Sequence, residues 1–103
     1  MIENLERMLG GPRDGPLLRF SLGTEYLKAG NPARAADYFR DAIAHDPNYS
    51  AAHKGLGKAL AEAGECEAAI AAYHEGIAIA EARGDIQAAR EMKVFARRLE
   101  KQT

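Results

Sequence analysis

A chain of 103 residues with 14 basic and 15 acidic side chains, net charge −1, lacks the basic excess that phosphate neutralisation demands of a nucleic-acid binder. Its 47% apolar content allows one modest core, but no stretch approaches the roughly 18 consecutive apolar residues of a membrane span. The single cysteine, Cys66, excludes an internal disulfide and a thiolate metal cluster, and the early-acidic N-terminus is not a secretory signal, so a cytoplasmic protein is expected.

Taken in chain order, Ile2, Leu5, Met8 and Leu9 are spaced for one short amphipathic helix. The run Gly10-Gly11-Pro12-Arg13-Asp14-Gly15-Pro16 then breaks it, leaving that helix either folded back on the rest or mobile. Leu18, Leu22, Tyr26 and Ala29 share one face of a second helix, which Gly30-Asn31-Pro32 interrupts. A third carries Ala35, Ala36, Phe39, Ala42 and Ile43 and stops before Pro47. Ser50 is placed to cap a fourth, with Ala52, Leu56, Leu60 and Ala63 on its face and Gly64 at its end. A fifth, bearing Ala69, Ile70, Tyr73, Ile77 and Ala80, meets no proline and runs on to Arg83. After Gly84, Asp85 can cap a last helix to about Lys101. Ile86, Ala89, Met92, Ala96 and Leu99 share one side of it, and Arg90, Lys93, Arg97 and Lys101 lie on or beside the other. No β-type alternation occurs, so the expected class is all-α.

The chain also repeats itself. At an offset of 34 residues, Leu22-Gly23 falls on Leu56-Gly57, Ala29-Gly30 on Ala63-Gly64, Ala35 on Ala69 and Phe39 on Tyr73. The spacing Leu22-Gly23, Tyr26, Ala35, Phe39, Ala42, Pro47 resembles the signature of the tetratricopeptide repeat, and Leu56-Gly57, Leu60, Ala69, Tyr73 resembles a second copy. The resemblance implies an antiparallel helix-hairpin solenoid forming one domain. Its parts are an N-terminal helix and linker over 1–15, repeat one over 16–49, repeat two over 50–83 and a capping helix over 84–103. Gly23, Ala35, Gly57 and Ala69 are then expected where helices cross. Four positions depart from the signature: Arg19 and His53 replace its tryptophan, Gly76 its later alanine and Glu81 its proline.

Residues that invite a catalytic or metal reading do not converge. No two of His45, His53 and His74 sit four apart, the spacing that puts two imidazoles on one helical face. Cys66 lies between Glu65 and Glu67, whose charges oppose thiolate formation. Gly55-Leu56-Gly57-Lys58 falls inside a helix, whereas a phosphate loop must precede one. Glu62, Glu65, Glu67, Glu75 and Glu81 read as a solvated face, and the basic residues of the last helix as the polar back of a cap. No cofactor or metal is expected.

The resemblance places partner binding on the concave face. In the first repeat this face comprises Leu17, Phe20, Ser21, Thr24, Leu27 and Lys28, and in the second Lys54, Lys58 and Glu62 beside Ala51, Gly55 and Ala61. Phe20 faces either that groove or the underside of the N-terminal helix. Some members of the family clamp a carboxylate between Lys, Arg and Asn. Here Phe20, Thr24 and Gly55 occupy the positions such a clamp needs, so it is not expected. The function implied is a monomeric module that binds another protein or peptide, with no nucleic acid or membrane as partner. The alternative is a structural domain that self-associates weakly through an open solenoid end; a small enzyme ranks last, for want of a nucleophile, base and oxyanion donor together.

Overall fold

The computed structural model describes residues 1–102, and among them every regular element is helical. The order is α1 (Ile2–Glu6), α2 (Pro16–Lys28), α3 (Pro32–His45), α4 (Ser50–Glu62), α5 (Cys66–Ala82) and α6 (Ile86–Gln102). Successive helices pack on one another, and α2, α4 and α6 also meet side by side, so they form one layer and α3 and α5 the other. The thinnest dimension, 18 Å, suits two layers about 8–10 Å apart. The chain is thus a solenoid of two helix hairpins closed by α6.

Two turns set the hairpin geometry. Gly30 and Gly64 adopt φ of +80° and +84°, a left-handed conformation open to glycine at little cost. That conformation lets Asn31 N–H reach the Tyr26 carbonyl at 3.0 Å and Glu65 N–H reach the Leu60 carbonyl at 2.9 Å, closing both helix ends alike. Pro32 sits in the first turn of α3, and the Asn31 side chain accepts from Arg34 N–H at 3.2 Å. One expected cap is absent. Tyr49 stands at the N-cap of α4, so Ser50 is already helical and its hydroxyl points to Asp85 at 3.5 Å.

Burial follows the stripes. Ala35, Ala36, Phe39, Ala59, Leu60, Ala69 and Ala72 form the central cluster, while Tyr73, Ile77, Ala80, Ala89, Met92 and Ala96 join α5 to α6. Gly23, Gly55 and Gly57 make room for aromatic rings. A Cβ on Gly23 would lie 2.7 Å from the Phe39 ring and one on Gly55 2.6 Å from it, whereas one on Gly57 would lie 2.5 Å from the Tyr73 ring. Burial pushes the Tyr73 phenol up to about 12, helped by the nearby charge of Glu62.

The N-terminal segment folds back. Ile2, Leu5, Met8 and Leu9 pack over Leu18, Leu22 and Tyr38. Two carboxylates pin it. Glu6 accepts from the Tyr26 hydroxyl at 2.8 Å, the Tyr38 hydroxyl at 3.0 Å and Arg34 at 3.4 Å. Asp14 holds Arg19 through two bonds of 2.9 and 2.8 Å and also accepts from Gly10 N–H at 2.9 Å. The tyrosine bonds lower the Glu6 pKa, and the Arg19 guanidinium lowers that of Asp14 well below the usual carboxylate range. Both groups therefore bind protons less readily folded than unfolded, so their contribution is fully present above the ordinary carboxylate range, roughly pH 4, and is lost progressively as pH falls from there through the lowered folded-state values. The Leu5 and Leu9 methyl signals are expected to be shifted by the neighbouring rings at neutral pH and to move to unfolded-chain positions in acid while those of α5 and α6 hold. Simultaneous loss of both sets would show that the segment is not pinned separately.

Candidate functional site

The concave layer presents a groove of about 350 Å³ lined by Phe20, Thr24, Leu27, Phe39, Ala51, Lys54, Gly55, Lys58 and Phe95. Helix spacing explains the lining. Phe20, Thr24 and Leu27 recur four and three residues apart on α2, and Ala51, Gly55 and Lys58 do so on α4. Gly55 leaves room for the Phe39 ring beneath the α4 backbone, so a ring that is 1% exposed still reaches the groove floor. Phe20 rests against Phe39 at 5.8 Å between centroids and against Tyr49 at 5.1 Å. On the far side Phe95 of α6 tilts on Tyr73 at 5.7 Å. The result is an aromatic-walled channel with a glycine in its floor.

Its charges are unequal. Lys54 Nζ bonds Glu91 of α6 at 3.2 Å, bridging two helices, whereas Lys58 is exposed and has no ion-pair partner among the described residues. A smaller hollow of about 260 Å³ adjoins the groove, sharing Ala51 and Lys54 and adding Ser50, Asp85, Gln87, Ala88 and Glu91. The Thr24 hydroxyl donates to the Phe20 carbonyl at 3.1 Å, which ties it to its own helix. The site offers an apolar wall, one ammonium without an ion-pair partner among the described residues, and one ion pair that an incoming carboxylate can challenge.

Five of the nine residues singled out on the sequence thus come together: Phe20, Thr24, Leu27, Lys54 and Lys58. The other four do not line the groove. Leu17 is 68% exposed and Ser21 half-buried on the turns nearer the start of α2. Lys28 pairs with Glu25 at 3.5 Å and faces a hollow bordered by Met1, Ile2 and Glu3. Glu62 is exposed at the end of α4. Phe20 meets Tyr49 and the central cluster, away from the N-terminal helix. Sequence reasoning missed Phe95 and Glu91, which come from the helix read only as a cap; their signal was the spacing of four that aligns both on one side of α6.

The histidines have local partners. His53 is 3% exposed and its Nε2 lies 3.1 Å from the Pro47 carbonyl, which can only accept, so Nε2 carries the proton. His45 Nδ1 lies 2.9 Å from the Asp41 carbonyl, and His74 Nε2 3.1 Å from Glu100 of α6. Among the described residues no three His, Cys, Asp or Glu side chains converge on a metal position, and no helix is long and apolar enough to cross a membrane.

Comparison with known proteins agrees with this architecture. The sequence pattern of the family described as tetratricopeptide repeat matches residues 20–84. A TPR repeat-containing protein of Pseudomonas aeruginosa is 48% identical over 101 residues, covering 98% of this chain and 96% of the relative. The solution structure of a Bordetella parapertussis protein superimposes with a TM-score of 0.86 at 41% identity, over 99% of this chain and 89% of that one. A tetratricopeptide repeat domain protein of Salinibacter ruber gives 0.79 at 29% identity, over 89% and 92%.

Proposed function

Because the chain belongs to the tetratricopeptide repeat family, a fold whose usual role is non-enzymatic protein interaction, we propose that it binds a peptide or helix of a partner protein in the groove between α2, α4 and α6. The observation that carries the reading is a groove lined by Phe20, Phe95 and Gly55 beside one cation, Lys58, that has no ion-pair partner among the described residues. A half-enclosed apolar wall with few polar groups suits an anchoring side chain, and burial of one leucine-sized side chain contributes about 1.5–3 kcal/mol. The ligand is a segment that seats an aliphatic or aromatic residue between Phe20 and Phe95 and presents a carboxylate to Lys58.

The two lysines then separate in their effects. Lys58→Glu is expected to weaken partner binding about tenfold, roughly 1.4 kcal/mol, and to flatten its salt dependence without moving the melting temperature. Lys54→Glu sets a carboxylate against Glu91 and loosens α6, so it should lower melting as well as binding. A partner captured from native cells and then titrated into both variants supplies the measurement. Equal affinity for wild type and Lys58→Glu, or NMR shift changes confined to the outer surfaces of α3 and α5, would refute the groove assignment.

A further inference from the structure

Helix α4 is packed by α3 on one side and by α5 on the other, whereas α6 packs on α5 and α4 and, among the described residues, has no helix on its opposite side. The packed side carries Ala89, Met92 and Ala96, all buried. Turned away from it, Ile86, Arg90, Val94, Arg97 and Lys101 recur at spacings of four, four, three and four. Those spacings string them along one stripe, over about 22 Å of helix at 1.5 Å per residue. All five are exposed, Ile86 by 52% and Val94 by 43%. Two features of the stripe exceed what a solubilising cap needs, which is a polar surface of mixed sign. Branched apolar side chains stand in the open within it, and its charges are all positive. Helix α6 holds five basic and two acidic side chains in a chain whose net charge is −1. Of those five, Lys93 bonds Glu81 of α5, while Arg90, Arg97, Arg98 and Lys101 have no ion-pair partner among the described residues. The two carboxylates of α6 turn elsewhere, Glu91 to Lys54 and Glu100 to His74.

We propose that the outer side of α6 is a docking surface for an acidic amphipathic helix of a partner protein. Charge complementarity commits the occupant: apolar side chains lie on Ile86 and Val94, and carboxylates beside them meet Arg90, Arg97 and Lys101. Guanidinium groups take carboxylates through paired N–H donors, which gives such contacts direction as well as attraction. The occupant is a helix because the stripe follows the alternating three- and four-residue seam along which helices pack side by side. A lipid bilayer fits it poorly, since the apolar side of α6 is turned into the protein and cannot enter a membrane. A phosphate backbone would answer the cations and leave Ile86 and Val94 without a partner. None of the five residues lines the groove, so the proposal does not rest on the reading given to that site.

The test titrates the full chain with a fluorescein-labelled, stapled model helix of about three heptads, with leucine at the first and fourth positions of each and glutamate on the flanks. One control peptide has the same composition in an order that breaks the stripe, and another has lysine for glutamate. The striped acidic helix is expected to bind about tenfold more tightly than either control, and less tightly as salt rises. Its NMR shift changes should centre on Ile86, Arg90, Val94 and Arg97. Arg90→Glu combined with Arg97→Glu should weaken it about tenfold, as should Val94→Asp, whereas Lys58→Glu in the groove should leave it bound. The comparison among peptides uses the unaltered chain, so it decides the matter even where a substitution disturbs the fold. Equal binding of the three peptides, shift changes confined to Phe20, Lys58 and Phe95, or undiminished binding by a folded Val94→Asp chain would overturn the proposal. So would phosphatidylserine vesicles or duplex DNA binding through Arg90 and Arg97 where the striped helix does not.

Discussion

Phe39→Ala is expected to cost about 3–5 kcal/mol, a large part of the roughly 5–15 kcal/mol that holds a domain of this size. The ring is 1% exposed and lies between α2 and α4, with a glycine on each side. Its removal leaves a cavity that two glycine surfaces cannot collapse to fill. The sharper expectation concerns those glycines. In wild type, Gly23→Ala or Gly55→Ala puts a Cβ at 2.7 or 2.6 Å from the ring, closer than any real contact, and neither helix can yield without disturbing the other. Overpacking of this kind costs about 1–3 kcal/mol and should outweigh the roughly 1 kcal/mol by which alanine favours a helix over glycine. In the Phe39→Ala background the obstruction is gone, and either substitution should become stabilising by about 0.5–1 kcal/mol. Urea titrations of the four chains at each position give the coupling directly. A glycine substitution that costs the same in both backgrounds would show that Phe39 is not what the glycine accommodates.

The pairing of Phe39 with Gly23 illustrates what was legible. The offset of 34 residues and the signature spacing gave the hairpins, because local periodicity and helix-ending glycines act within a few residues of chain. The four departures from the signature were visible singly, but their partners lie elsewhere in the chain. Arg19 binds Asp14 of the linker and Asp41 of α3, so the residue in place of a tryptophan fastens the N-terminal segment. His53 and Gly76 answer each other: a Cβ on Gly76 would lie 2.8 Å from that of His53 and 2.6 Å from Met92 Sδ. Glu81, standing where a proline would end the helix, lets α5 continue and bonds Lys93 of α6 at 2.7 Å. The same distance in sequence hid Glu91 from Lys54 and Phe95 from Phe20. Helix spacing says which residues share a face; it does not say which helix arrives opposite.

Those contacts make α6 more than a polar lid. Removing residues 85–103 is expected to abolish the cooperative melting transition and to drive self-association. Among the described residues the bridges lost include Lys54–Glu91, Glu81–Lys93 and His74–Glu100. All are partly exposed, and pairs of that kind contribute about 0–1 kcal/mol each, so they do not decide the outcome. Burial does. Ile77 at 8% exposed and Met92 at 0% each owe about 1.5–3 kcal/mol to the α5–α6 contact, and Ala80, Ala89 and Ala96 add to it. That sum rivals the net stability of a small domain. The surface uncovered on α5, Tyr73, Ile77 and Ala80, is a contiguous apolar stripe with no charge among its members, which favours association over solvation. The groove would lose the wall carrying Phe95 at the same time. Calorimetry and sedimentation of the truncated chain test the expectation. A truncated monomer that melts at the wild-type temperature would show that the first two hairpins hold themselves and that α6 only borders the groove.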